Sequence, residues 1–304
     1  MTILRGVMPI APTTFNDDES LDMKSQGRVY DFLVDAGVDA ICILANYSEQ
    51  FALTDGERDQ LLDHALGHVG RRVPVIVTTS HYSARIAAAR CKQAEEAGAA
   101  MVMLMPPYHG ATLRVDEEAM VSFFSTVAEA ISIPIMIQDA PMSGTPLPAA
   151  LLARLAREIP LVQYAKVESA GAAAKIRATI ALAGDALPGP CDGEESITLI
   201  PDLEAGAIGT MPSSMIPEVL GEVMRRWFSG DREGATSLWE SWLPMIHYEN
   251  RQCGLLATKV LMKEGGIIAS DANRAPFRGL AGATRDGLLA HARRRDPLIL
   301  KWAS

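Results

Sequence analysis

Aromatic residues make up only 6% of this 304-residue chain, and cysteine occurs only four times. Cys42, Cys91, Cys191 and Cys253 lie far apart, and none forms the paired spacing of a zinc site or a redox motif. Reduced thiols in a cytoplasmic protein are expected. Positive charge is also short: 28 Lys and Arg against 37 Asp and Glu leave a net charge of -9, with pI near 5.2. Such a chain exerts no broad attraction on phosphate backbones or anionic lipid, so neither nucleic acid nor a membrane is expected as a partner. No apolar run reaches the roughly 18 residues of a membrane span, and the opening MTILRGVMPIAPTTF lacks a charged segment followed by a long apolar one. No glycine pattern follows a strand in the manner of a dinucleotide or P-loop site.

What remains is a chain with 48% hydrophobic residues and a regular rhythm. Ala36-Gly37, Ala97-Gly98 and Ala205-Gly206 each close an acidic helical stretch and precede an apolar run, where glycine suits the left-handed position that ends a helix. A second echo, Val73-Pro74 and Ile133-Pro134, opens apolar runs of its own. Gly37 and Gly98 are 61 residues apart and Pro74 and Pro134 are 60 apart, so one strand–helix unit takes about 30 residues. The apolar runs carry little polar alternation, as in parallel strands buried on both faces. Eight are expected, near 5–10, 39–44, 73–78, 101–105, 133–137, 161–167, 186–189 and 207–210, giving a (β/α)8 TIM barrel. The barrel is assigned to 1–212. Helices alone follow, near 216–228, 231–249, 253–264 and 283–293, making 213–304 a C-terminal helical region packed on the barrel.

Reacting groups in such a barrel come from the C-terminal ends of the strands and the loops beyond them. Those positions hold Asn46, Tyr47 and Ser48, then His81 and Tyr82, Tyr108 and His109, Gln138, Lys166 and Glu168, and Gly189. Lys166 ends the sixth strand, where a charge has no structural reason to be; desolvation there favours the neutral amine that attacks carbonyls. Glu168, two residues on, shares its face. Spacing alone leaves two readings open, a nucleophile with its acid/base partner and a salt-bridged loop pair.

From GVMPIAPTTF through LVQYAKVES to AGAIGTMPS, the chain resembles the dihydrodipicolinate synthase and N-acetylneuraminate lyase family of class I aldolases and lyases. The resemblance covers nearly the full length and implies a Schiff-base lysine at Lys166. It implies a carboxylate-holding loop at Asn46-Tyr47-Ser48-Glu49, followed by the helix start Leu53-Thr54-Asp55-Gly56-Glu57-Arg58. Gly189 and Ile208 would line the keto-acid pocket by resemblance; His81, Tyr108 and Gln138 reach the mouth of the barrel from their places after the strands, as substrate contacts or, for His81 and Tyr108, as packing or subunit contacts. Two departures stand out. The family's catalytic tyrosine, in Tyr-Asn-x-Pro, is replaced in Gln138-Asp139-Ala140-Pro141, and the following arginine of the synthases is absent, with Ser143 near its place. Glu168 stands where an uncharged residue is usual. Together these imply a dehydratase of a five-carbon 2-keto-3-deoxy sugar acid rather than a dihydrodipicolinate synthase. A retro-aldol lyase releasing pyruvate is the alternative, and a non-catalytic sugar-acid sensor a more distant one. No metal and no organic cofactor is expected, and a homo-oligomer, dimer or tetramer, is.

Two weaker signals receive bland readings. His64 and His68 have metal-ligand spacing but no third partner, and read as a surface or helix-end pair. Asp192-Gly193-Glu194-Glu195 is read as the cap of a helix after the seventh strand.

Overall fold

The computed structural model describes residues 3–109, 113–145 and 147–304. Eight strands alternate with helices, and the architecture is the expected (β/α)8 barrel with a C-terminal helical extension. In chain order it runs β1 (Gly6–Val7), α1 (Met23–Asp35), β2 (Ile41–Ile43), α2 (Asp55–Val69), β3 (Val75–Thr78), α3 (Ala84–Ala97), β4 (Met101–Leu104) and α4 (Glu117–Ala128). Then come β5 (Ile135–Asp139), α5 (Ala149–Glu158), β6 (Val162–Val167), α6 (Ala172–Ala183), β7 (Gly189–Asp192), α7 (Leu199–Glu204), β8 (Gly209–Thr210) and α8 (Pro217–Ser229). The extension holds α9 (Arg232–Tyr248), α10 (Leu256–Glu264) and α11 (Gly282–Arg295). The three Ala-Gly echoes do what their residue type suggests: Gly37, Gly98 and Gly206 have φ of 76°, 104° and 109°, a region where a side chain would be strained.

The chain forms two compact units. One contains β3 to β8 with α3 to α7 and the first described residues. Its strands pair in parallel with their sequence neighbours, and β3, β4, β5 and β7 are buried along their whole length, which is why their sequences show no alternation. A register shift matters to the chemistry. Ile135 pairs with Val162 but Met136 with Tyr164, so Gln163 is passed over and Lys166 comes to rest beside Gln138.

The other unit contains β1, α1, β2, α2, the short stretch Glu195–Ile197, and the chain from Pro212 onward. Ile10 bridges in parallel to Cys42 on one side and to Ser213 on the other. Thr54 and Glu57 form a reciprocal capping box at the start of α2, as the helix-start motif implied. Among the described residues, no helix is long and apolar enough to cross a membrane.

One strand lies elsewhere than expected. β7 occupies Gly189–Asp192, not 186–189, while Gly184–Ala186 forms a short 3-10 turn. Pro190 sits inside this strand, and its carbonyl accepts from the Ile208 N–H at 2.8 Å. Asp192 is therefore a strand residue and not a helix cap: α7 begins only at Leu199, after Thr198.

Candidate active site

Strand alternation puts Tyr164, Lys166 and Glu168 on one side of β6 and its continuation, and Asp139 and Asp192 flank Val167 in the next rung. Lys166 is 4% exposed, an expensive place for an amine unless it is paired. Its Nζ lies 2.7 Å from Glu168 Oε1. The same carboxylate oxygen accepts from Gln138 Nε2 at 2.8 Å. Glu168 Oε1 thus receives two donors, one from Lys166 and one from Gln138. Because Gln138 donates to an acceptor-only carboxylate, its orientation is fixed and its own Oε1 faces away, buried without a partner.

The rung across the strands is Gln138, Lys166, Cys191. Burial pushes the Cys191 thiol up to about 12, with Asp192 adding to the shift and Lys166 opposing it, so it stays an inert thiol beside the amine. Immediately past β7, a Cβ on Gly193 would lie 2.7 Å from Cγ of both Glu168 and Lys166, and 3.0 Å from Lys166 Cε. The bare backbone of Gly193 is thus the wall against which the pair is packed. Sequence reasoning missed this residue, because with β7 set three positions early the acidic run looked like a cap.

On the opposite side, Asp139 is committed to Lys175 of α6 at 2.5 Å and accepts from Ser169 Oγ at 3.1 Å. A cavity of about 700 Å³ opens there between Pro141, Leu147, Pro148 and that ion pair; neither Lys166 nor Glu168 lines it. Asp192 accepts from Thr210 Oγ1 at 2.5 Å, and Asp202, on α7, has its carboxyl raised by burial, with Thr198 Oγ1 donating to it at 2.8 Å.

The remaining expected residues fall as follows. Gly189 opens β7 and pairs with Tyr164, whose ring occupies the space a Cβ would need, at 2.1 Å. Ile208 is half-buried just before β8. The His81 ring accepts from the Ser83 N–H at 2.9 Å, a local turn contact, and Tyr82 packs on His109 with ring centroids 5.8 Å apart. Tyr108 is half-buried, and desolvation raises its phenol above the usual range, so it stays protonated. His68 is held by Asp31 at 2.9 Å, and His64 lies beside it, ring centroids 5.5 Å apart.

In the second unit, Asn46, Tyr47 and Ser48 form a single 3-10 turn directly after β2. Thr13 Oγ1 donates to the Ser48 carbonyl at 2.6 Å, and the Ser48 hydroxyl donates to the Ala11 carbonyl at 2.7 Å. Asn46 Oδ1 accepts from Gln50 at 3.0 Å. Tyr47 is half-buried between two buried neighbours.

Comparison with known proteins bears on the family and the fold. The model of the dihydrodipicolinate synthetase family matches residues 3–293. An L-2-keto-3-deoxyarabonate dehydratase from Azospirillum brasilense is 55% identical over 299 residues, covering 98% of this chain and 97% of that one. Among solved structures, the dihydrodipicolinate synthase of Rhodopseudomonas palustris superposes with a TM-score of 0.87 at 26% identity, covering 95% of this chain and 97% of that one. YagE, a prophage protein from Escherichia coli K12 solved in complex with pyruvate, gives 0.88 at 25% identity, covering 97% and 100%.

Proposed function

The chain belongs to the dihydrodipicolinate synthetase family, and from that premise we propose that it is a Schiff-base-forming hydro-lyase that converts L-2-keto-3-deoxyarabonate to 2,5-dioxopentanoate and water. The observation that carries the reading is the buried Lys166–Glu168 contact of 2.7 Å, in a site with glutamine where the family's pattern has tyrosine. The name of the Azospirillum relative, at 55% identity, supports the choice of substrate.

Neutral Lys166 attacks C2 of the 2-oxo acid, and loss of water gives an iminium that acidifies the C3 hydrogens. Glu168 takes one of them. The resulting enamine expels the C4 hydroxyl, which leaves as water with a proton returned by Glu168 or by a nearby hydroxyl. Loss of a C5 proton, tautomerisation and hydrolysis release the dicarbonyl and restore Lys166. Gln138 holds Glu168 through Oε1. Tyr47 and Ser48 hold the substrate carboxylate, which requires the Ser48 hydroxyl to exchange its bond to Ala11 for the ligand. Ile208 lines the keto-acid pocket on the family's pattern and His81, Tyr108 and Asn46 contribute further contacts, whereas Gly189 opens β7 and is packed by the Tyr164 ring. The lysine itself is the electron sink, so neither a metal nor an organic cofactor takes part. The protein works in the cytoplasm as a dimer or tetramer.

Product analysis tests this directly. Incubation with L-2-keto-3-deoxyarabonate should yield one five-carbon dicarbonyl and no pyruvate. Pyruvate with an equimolar two-carbon aldehyde would make the protein a retro-aldol lyase instead.

A further inference from the structure

The turn that carries Tyr47 ends on Glu49, a non-glycine residue in the left-handed region with φ 55° and ψ 35°. Such a conformation is strained for an L-residue, and glycine would relieve it. Glu49 is nevertheless there, 1% exposed, and its side chain explains why. Its carboxylate is ion-paired with Lys259 of α10, itself 1% exposed, and accepts a longer bond from the Arg274 N–H at 3.4 Å. Lys259 Nζ also donates to the Ala272 carbonyl at 2.7 Å and stands 4.9 Å from the centre of the Phe15 ring. The Arg274 guanidinium lies 4.6 Å from the same centre, bonds the Ala52 carbonyl at 2.8 Å and pairs with Glu57 at the start of α2.

Both ends of the segment that follows Tyr47 and Ser48 are therefore anchored, Glu49 to Lys259 and Ala52 to Arg274. A buried ion pair is poor at stabilising a fold compared with apolar side chains of the same volume, but it does fix geometry where its hydrogen bonds are all made. Here the fixed object is one turn of three residues, strained at its last joint.

We propose that the Glu49–Lys259 pair is a positioning device that sets the Tyr47–Ser48 turn and thereby the affinity of the site for the carboxylate of a 2-oxo acid. This rests on the assignment of that turn to carboxylate binding. Neither residue touches the reacting atoms; the pair acts through the turn. Loss of the pair should weaken binding and leave the proton transfer at C3 intact.

The test is the double variant Glu49→Gly with Lys259→Met, which removes both charges together and places at position 49 a residue that accepts the left-handed conformation. Pyruvate is the probe, with borohydride trapping at Lys166 as the readout. The half-saturating pyruvate concentration should rise tenfold or more, with KM for the sugar acid rising in parallel, while kcat and the rate of deuterium entry at C3 at saturation stay within threefold. Glu49→Gln, which keeps an acceptor for Lys259, should fall between native and double variant. A purely structural pair predicts a lower melting temperature with unchanged half-saturation in the folded fraction; that result, in either variant, overturns the proposal. If native protein fails to trap pyruvate at all, the underlying assignment falls and this proposal with it, whereas native trapping with an unchanged half-saturation in the variants refutes the positioning role alone.

Discussion

Adding one methyl group at Gly193 should damage catalysis far more than stability. The new Cβ would lie 2.7 Å from Glu168 Cγ and from Lys166 Cγ, and 3.0 Å from Lys166 Cε. Ordinary carbon–carbon contact is about 3.5–4.0 Å, so both side chains must withdraw by roughly 1 Å. They have little freedom to do so together, since Lys166 is tied to Glu168 at 2.7 Å and Glu168 to Gln138 at 2.8 Å. A misplacement of about 1 Å at a reacting group can cost on the order of 100-fold in rate. Overpacking of this kind typically costs about 1–3 kcal/mol, or a fall of roughly 2–5 °C in Tm for a protein of this size. Gly193→Ala, assayed at 25 °C where it remains folded, should therefore show kcat/KM reduced about 10- to 100-fold and slower borohydride trapping at Lys166. Activity within twofold of native would show that Lys166 and Glu168 are not held against this wall, and the reasoning would fail.

The pH dependence of stability offers further checks, both within the second unit. The Arg274 guanidinium, aided by Thr54, holds Glu57 down to about 2. A depressed carboxylate stabilises the fold above its ordinary value near 4.5 and loses that contribution as pH falls toward 2; Glu57→Gln should cost at most about 2–3 kcal/mol at neutral pH, and denaturant titrations should show the difference shrinking below pH 4.5. Glu249 behaves oppositely, because burial and the neighbouring Glu195 push it up to about 8. Its contribution is present below pH 4.5 and lost as pH rises through 8, so Glu249→Gln should gain Tm relative to native between pH 5 and pH 9; a constant difference across that range would contradict this. Because the electron sink is a lysine, exhaustive chelation should leave full activity, and loss restored by one specific divalent ion would overturn that expectation.

Much of this was legible from residue order. The Ala-Gly echoes marked helix ends because glycine accepts their φ values without strain, and the Lys166-to-Glu168 spacing marked a shared face because strand periodicity is two. The four helices after β8 followed from apolar periodicity within a few residues. β7 was misplaced because Pro188 and Pro190 are residues that argue against a central strand, while Ala186-Leu187 offered a misleading apolar pair. That error concealed Gly193, whose role depends on what packs against it. Glu49 and Lys259 were beyond reach for a different reason: 210 residues separate them, and no local pattern signals a partner so distant. The gap at Gln163 in the β5–β6 pairing, which sets Lys166 beside Gln138, is likewise a property of two strands together.

The central claim is that Lys166 forms the covalent bond and Glu168 moves the C3 proton, and Glu168→Gln separates these roles. The amide keeps the size and the contact with Gln138 but cannot take a proton, a loss typically worth about 10² to 10⁴ in rate. Borohydride with pyruvate should still add the ligand's mass to the peptide containing Lys166 in this variant, while turnover and deuterium entry at C3 collapse by that factor. Turnover within a few-fold of native, or an adduct on any residue other than Lys166, would contradict the account.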